Sequence, residues 1–327
     1  MEKTLDDALM KVRSYRSTIA AGFRLYTSNF RKFFKVSWLT ALLYALMCAC
    51  VGTLNTQKMP ELTTTLTAQI MNGMGISQET LMQYATTVLA LFILIVAALV
   101  LDTIATATIL SKLKEHQQTG YIGSVNKIFT LTIKLTWRTL KGVFFTVMTT
   151  LIPILLLAAC IGGLVVLAPE RAAHSLITIT CMFIVVLVII GALILPLFHV
   201  IMKYVMDAPR SYFSTLFNEY LRAMRHWGYL FVVVFISTLV IGIASLFVSI
   251  PTLILSIAGQ TAQAGQLMGD PLGMPAYMGV LTFATYLLIS FLQFYITLPL
   301  LFHNYYIYGS IETQEQERED MSKTVNQ

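Results

Sequence analysis

Long apolar stretches alternate with short polar ones along most of this chain. Six of them reach the roughly 20 residues that a helix needs to cross a hydrocarbon core about 30 Å thick. Only a helix satisfies its own backbone hydrogen bonds in lipid, and no stretch shows the alternation of a barrel strand. The pattern therefore predicts an all-α polytopic membrane protein. Its six transmembrane helices are expected near 36–54, 85–111, 143–167, 175–202, 228–257 and 277–304.

A basic, amphipathic stretch precedes each odd-numbered span. In the first, apolar residues from Leu5 to Phe33 recur at steps of three, four or seven, which places them on one helix face. The cores of the three stretches start at Phe23, Phe129 and Phe217, and each has an arginine eight or nine positions later. We call these stretches elbows because each leads from the surface into a span.

The elbows divide the chain into three repeats, each made of an elbow, an outgoing span, an external loop and a returning span. All three belong to a single membrane domain that covers residues 1–327. The repeats lie at about 1–120, 121–208 and 209–310, and an acidic tail follows at 311–327. Because this tail is strongly charged, we expect it to be solvated and partly disordered.

Basic amphipathic helices place their apolar face at the acyl boundary and their cations among anionic headgroups. Two roles remain open for the elbows. They either set the tilt of the spans as anchors, or they sense and organise anionic lipid. Membrane lipids are therefore the expected partners, beside a possible protein partner or a homo-oligomer. The residues predicted to contact headgroups are Arg24, Arg31, Lys134, Arg138, Arg222 and Arg225.

Charge gives the orientation. Only 12% of residues are charged, against about 25% in soluble domains. Of the 22 lysines and arginines, all but Lys58 and Arg171 fall on the side of the elbows. Because positive charge collects on the cytoplasmic side, both termini are predicted to be cytoplasmic. The net charge of +6 then belongs to a membrane surface, and no nucleic-acid partner is expected.

Ionisable residues inside a span are functional candidates, because each costs at least ~2.5 kcal/mol near the bilayer centre. Asp102 lies in the second span beside the small residues Ala98, Ala105 and Thr106. It is either a buried carboxyl bonded to its neighbours or a proton or cation site. The predicted spans hold no second carboxylate, which argues against a proton relay.

Two histidines, His199 and His303, end the fourth and sixth spans within the similar stretches LPLFH and LPLLFH. As metal ligands they would need a third partner, and no H-x-x-x-H or E-x-x-H spacing supplies one. The sequence therefore predicts no metal and no other cofactor. The prolines of the two stretches, Pro196 and Pro299, are expected to kink the spans. Neighbouring tyrosines are expected to form an aromatic collar at the headgroups, namely Tyr204, Tyr305, Tyr306 and Tyr308.

No nucleotide-binding, hydrolase or metalloprotease motif is present in the sequence. We therefore predict a protein that is not an enzyme and that is lipid-interacting, structural or a subunit of an envelope complex. The alternative is a transporter or permease component that uses the kinked fourth and sixth spans with Asp102.

The elbow cores and one junction also resemble known families. The cores read FRLYTSNFRKFF, FTLTIKLTWRTLKGVFF and FNEYLRAMRHWGYLF, and the junction reads YVMDAPRSYFSTLF. Over most of the chain, this plan resembles the bacterial six-span families related to YciC and to the membrane domain of glycerophosphodiester phosphodiesterases. The resemblance implies a bacterial inner membrane and a non-catalytic role. No stretch corresponds to the soluble phosphodiesterase domain, so its activity is not expected here.

Overall fold

The computed structural model describes residues 8–71, 73, 75–123, 133–167, 176–207, 211–267 and 275–325. Over these residues the regular structure is helical throughout, as the apolar pattern predicts. A π-helical stretch, Leu54–Lys58, joins the second helix to the third. The α-helices are α1 (Tyr15–Ser28), α2 (Phe30–Thr53), α3 (Met59–Met71), α4 (Gln78–Thr119), α5 (Ile133–Leu167), α6 (Leu176–Met206), α7 (Tyr212–Arg225), α8 (Trp227–Leu267), α9 (Met278–Thr297) and α10 (Pro299–Val325).

Five helical stretches of the described chain are long and apolar enough to cross a bilayer. The predicted span at 175–202 falls on α6. Within α6, the apolar stretch Gly191–Met206 is shorter than the other five. The five stretches are Phe30–Met71, Gln78–Thr119, Ile133–Leu155, Trp227–Gly265 and Met278–Thr324.

Two of the predicted elbows are separate helices, α1 and α7, and they are built alike. Each has 14 residues. Each follows a capping serine, Ser14 or Ser211, whose Oγ accepts a hydrogen bond from the backbone N–H three residues on, at 3.4 and 3.3 Å. Each ends at one non-helical residue, Asn29 or His226, and the long helix that follows starts at the next residue.

The serine caps correct the predicted alignment of these elbows. They place Phe217 opposite Ala20, whereas the sequence prediction paired Phe217 with Phe23. The helical pattern predicted from Leu5 onward is also too long, because the described residues before Tyr15 are not helical and residues 1–7 lie outside the described chain. A capping serine fixes where a helix starts, whereas a phenylalanine can occupy any position along it.

The second predicted elbow lies partly outside the described residues, which exclude 124–132. From Ile133 onward its sequence belongs to α5, which runs to Leu167. Over the described part, this elbow and its span are therefore one continuous helix.

Helix α10 forms the core at the end of the bundle where α1 and α7 lie. It packs against α1, α6 and α8. The predicted aromatic collar is wrong, because Tyr204, Tyr305, Tyr306 and Tyr308 are buried in the protein. Neighbouring helices cover the sides of α10 on which its tyrosines lie, so these rings contact protein rather than headgroups.

The acidic tail is also not disordered as predicted, since α10 continues through it to Val325. Glu312, Glu315 and Glu319 follow one another at steps of three and four and so share one face of the helix. Glu312 lies beside Lys203 of α6, Glu319 beside Arg222 of α7, and Glu315 beside Arg225 and the imidazole of His226. These ion pairs hold a polar segment in a defined place.

Candidate functional site

A cluster of charged side chains, which we call the polar centre, lies where α6, α7 and α10 meet. Two members, Lys203 and Glu312, leave only 13% and 14% of their side chains exposed. The polar centre consists of His199, Lys203, Asp207, Glu219 and Glu312.

Lys203 links two carboxylates of the polar centre. Its Nζ contacts Glu312 Oε2 and lies 3.1 Å from Asp207 Oδ2. Asp207 Oδ1 in turn accepts a hydrogen bond of 2.7 Å from the hydroxyl of Tyr308. Removing one partner of a buried ion pair costs about 3–5 kcal/mol, because the other charge stays buried. Loss of Lys203 alone would therefore destabilise the packing of α10 on α6.

An imidazole and two carboxylates converge on the other side of Glu312. His199 is fully buried, and its Nε2 lies 3.5 Å from Glu312 Oε1. The side chain of Glu219 is 1% exposed, and its Oε2 lies 3.6 Å from Arg222 Nη1. Ligand atoms of His199, Glu219 and Glu312 all lie within 4.8 Å of one another.

A polar cavity of about 480 Å³ opens beside the polar centre. Arg138 extends into this cavity from α5. Its Nε donates a hydrogen bond of 2.5 Å to the backbone carbonyl of Tyr204, and its guanidinium carbon lies 4.5 Å from the centre of the Tyr204 ring. The lining mixes three cations with two carboxylates, which are Lys114, Arg138, Lys203, Asp207 and Glu219.

The C-terminal half of α10 is tied to α7 by further ion pairs. Glu315 Oε1 lies 2.9 Å from His226 Nε2, and Glu315 Oε2 lies 3.6 Å from Arg225 Nη1. Glu319 lies 3.3 Å from Arg222. The pair with His226 is the most buried of the three, since 18% and 9% of its side chains are exposed. We therefore expect this pair to fix the end of α7.

An apolar groove of about 450 Å³ runs between α5, α6 and α7. Phe217 and Leu221 line the groove and also a neighbouring cavity of the same volume, which Arg222, Arg225 and Arg318 border. We call these three residues the arginine rim. The apolar groove and the arginine rim are thus adjacent along α7. Other residues that line the groove are Pro153, Leu193, Leu197 and Leu216.

The two predicted histidines do not form a pair. His303 packs against α1, with its ring centroid 4.7 Å from that of Phe23. His199 instead lies beside Glu312. Glu312 follows His303 by nine residues on α10, which corresponds to ~13 Å along a helix. The matching LPLFH and LPLLFH stretches therefore place their histidines in different surroundings.

Asp102 lies away from both histidines. It is half-buried on α4, close enough to Tyr44 and Cys48 of α2 to interact with them electrostatically. On the same helix, His116 binds the hydroxyl of Tyr305 at 2.9 Å, and His116 follows Asp102 by 14 residues, or ~21 Å. The structure thus does not bring Asp102, His199 and His303 around one cavity.

Of the six residues predicted to contact headgroups, Arg24, Arg31, Lys134 and Arg225 are exposed. Protein groups lie against Arg138, Arg222 and Arg225. Arg138 binds the carbonyl of Tyr204, while Arg222 and Arg225 lie beside carboxylates of α10.

Sequence reasoning missed Glu219 and Glu312, and two signals pointed to their surroundings. The steps of three and four between the glutamates of the tail mark a helical face. The motif R-S-Y-x-S-T occurs at 13–18 and again at 210–215, which marks the start of both elbows. Arg13 of the first copy lies 4.7 Å above the ring of Tyr306, whereas residue 210 lies outside the described chain.

The fold places this chain in the class of helical membrane proteins, on the basis of its five bilayer-length apolar helices. Comparisons with protein-family models, curated proteins and solved structures found no match for it.

Proposed function

We propose that this chain is a non-enzymatic integral membrane protein that binds anionic phospholipid along α7. The observation that carries the proposal is the uncovered apolar face of this elbow. Phe213, Phe217 and Leu221 are 51%, 74% and 67% exposed. Full burial of such a side chain is worth about 1.5–3 kcal/mol. An amphipathic helix with this face gains that energy by lying at the acyl boundary of a bilayer.

The apolar groove and the arginine rim match the two parts of a phospholipid. An acyl chain fits the chemistry of the groove, which is lined almost entirely by apolar side chains. A phosphate fits the rim, because Arg222, Arg225 and Arg318 outnumber the two carboxylates that line the same cavity. Guanidinium groups bind phosphate oxygens through paired hydrogen bonds. One phospholipid could therefore place its acyl chain in the apolar groove and its phosphate at the arginine rim.

In the proposed arrangement, six spans in three repeats lie in a bacterial inner membrane with both termini in the cytoplasm. The uneven distribution of lysine and arginine supports this orientation. The resemblance to bacterial six-span families supports the location. The elbows would then lie at the cytoplasmic leaflet, where anionic lipids attract basic helices.

The test is lipid retention by the purified protein in nanodiscs made with phosphatidylcholine alone or with added phosphatidylglycerol. The variant pair is Arg225→Gln with Arg318→Gln, and Lys58→Gln is the control because its side chain is 60% exposed and distant in sequence from α7. One basic residue contributes about 1 kcal/mol at an anionic surface, so the double variant should weaken phosphatidylglycerol binding by about 30-fold. The control should bind like the unmodified protein.

Native mass spectrometry counts the phosphatidylglycerol molecules that remain bound after detergent extraction. The proposal predicts fewer in the double variant and in Phe217→Ser, and an unchanged number in Lys58→Gln. Equal retention in all four proteins would show that α7 does not hold the lipid.

A further inference from the structure

We infer that His199, Glu219 and Glu312 form a binding site for a divalent transition-metal ion, with Zn²⁺ and Mn²⁺ as the ions it suits best. The three residues come from α6, α7 and α10, so a bound ion would join three helices at one point. None of the three residues lines the apolar groove or the cavity bordered by the arginine rim.

The donor set has the chemistry of a metal site. One imidazole and two carboxylates are ligands for Zn²⁺ and also suit Mn²⁺. Metal–ligand bonds of about 2.0–2.2 Å place neighbouring donors of a tetrahedral site roughly 3.5 Å apart. His199 Nε2 and Glu312 Oε1 already lie 3.5 Å apart. Glu219 has a ligand atom within 4.8 Å of both, so a shift of about 1 Å would complete the set.

The state of His199 is the observation that points to a ligand. Its side chain is fully buried, its Nε2 lies at an ion-pair distance of 3.5 Å from Glu312 Oε1, and neither ring nitrogen reaches hydrogen-bond geometry with another group of the described residues. A buried polar group without a hydrogen bond costs about 1–3 kcal/mol. Its Nε2 is directed at Glu312, so a metal ion between the two would satisfy the nitrogen and the carboxylate together.

Two cations lie beside the carboxylates of the site. Lys203 contacts Oε2 of Glu312, and Oε1 of that residue is the oxygen nearest His199. Arg222 lies 3.6 Å from Oε2 of Glu219. The ion would bind Glu312 through Oε1, while Lys203 keeps its contact with Oε2. Lys203 competes for the charge of Glu312 and is expected to weaken the site.

The experiment uses the full chain without a histidine tag, in detergent, stripped with EDTA and then titrated with ZnCl₂ or MnCl₂. Unfolding temperature and isothermal calorimetry are the two readouts, since an ion that binds only the folded protein raises its stability. We expect a rise in Tm of several degrees at saturating Zn²⁺ and a stoichiometry of one. No rise, or heat of binding no larger than that of the EDTA-treated control variant His199→Gln, would overturn the site.

Matched variants locate the ion. Loss of an outer-shell partner alone costs about 10- to 100-fold in metal affinity, so loss of a ligand should cost at least as much. His199→Gln and Glu219→Gln should both lose binding by that factor, whereas His303→Gln, equally buried but outside the cluster, should retain it. Retained affinity in His199→Gln together with loss in His303→Gln would place the ion elsewhere.

Two further measurements keep the proposal testable if a ligand variant fails to fold. Co²⁺ in place of Zn²⁺ should give the visible absorption of a four- or five-coordinate site with nitrogen and oxygen ligands. Lys203→Gln should lower the Tm of the metal-free protein, and added Zn²⁺ should restore it, because the competing cation is gone. A Lys203→Gln protein that Zn²⁺ does not restore would contradict the site.

Discussion

Elbows α1 and α7 begin and end alike and each buries four residues, yet only α7 leaves a row of large apolar side chains exposed. In α1, Ala21, Gly22 and Leu25 are buried, and the elbow packs against α10. In α7 the buried residues are Tyr212, Thr215, Glu219 and Ala223, while a row of large apolar side chains stays exposed. Two helices with the same cap and the same length thus have different surroundings, and the side chains between the two ends determine the difference.

The residues in the middle of the elbows explain the difference. The serine caps place Gly22 of α1 opposite Glu219 of α7. Gly22 allows His303 of α10 so close that an added Cβ would lie 2.3 Å from its ring. Glu219 directs a carboxylate into the polar centre instead. A small residue lets α1 lie flat on α10, whereas a charged one ties α7 to its neighbours through polar contacts.

The largest expected difference between the elbows comes from truncating one leucine in each. Leu25 of α1 is 8% exposed and Leu221 of α7 is 67% exposed. Leu25→Ala should lower the free energy of unfolding by about 2–5 kcal/mol, since it leaves a cavity. Leu221→Ala should change it by no more than about 0.5 kcal/mol. Denaturant unfolding in detergent measures both, and similar losses would show that the two faces are equally buried.

The next effect concerns the polar attachment of α7. Glu315→Gln removes the ionic contacts with His226 and Arg225. A hydrogen bond to a charged group contributes about 1.5–3 kcal/mol, so we expect a loss in that range. Amide hydrogen exchange should rise in α7 and stay unchanged in α1. Glu61→Gln is the control, because its pair with Lys58 is exposed and should contribute little.

A smaller loss is expected from filling the close approach of α1 to α10. Gly22→Ala places a methyl group against His303, and overpacking of this kind costs about 1–3 kcal/mol. Gly242→Ala is the matched control, since nothing lies within 4 Å of its added Cβ. Thermal unfolding should separate the two. An unchanged Tm in Gly22→Ala would mean that α1 can shift without cost.

The smallest expected effect comes from the serine caps that α1 and α7 share. Ser14→Ala and Ser211→Ala each remove an N-cap, which costs about 1 kcal/mol. Because the two caps have the same geometry, the losses should be equal within error. Circular dichroism during thermal unfolding gives both values. A loss at one elbow alone would show that the caps are not equivalent.

The helices themselves could be predicted from the sequence because apolar length and period determine them. Within the described residues the predicted spans fall on helices, and the sixth is divided between α9 and α10. The face of α1 that contacts α10 could be recognised as apolar, but nothing local distinguishes a face that meets protein from one that meets lipid. Tyr305 and Tyr306 illustrate this, since tyrosines near the end of a span fit a headgroup belt as well as a core.

The polar centre could not be predicted because its members are distant in sequence. Lys203 and Glu312 are 109 residues apart. Glu312 lies in a segment whose composition is typical of a solvated tail. Only the packing of α10 against α6 makes its carboxylate a partner for Lys203 and His199.

The position of α10 also has a consequence for how the protein is made. Its residue Ser310 accepts a hydrogen bond from the backbone of Arg13 across 297 residues. A ribosome that adds about 5–20 residues per second needs roughly 15–60 s to cover that distance. During this time α1 has been synthesised but its partner has not. The apolar face of α1 therefore has no partner on α10 during this time, and we expect it to rest on the bilayer, as proposed for α7, until α10 arrives.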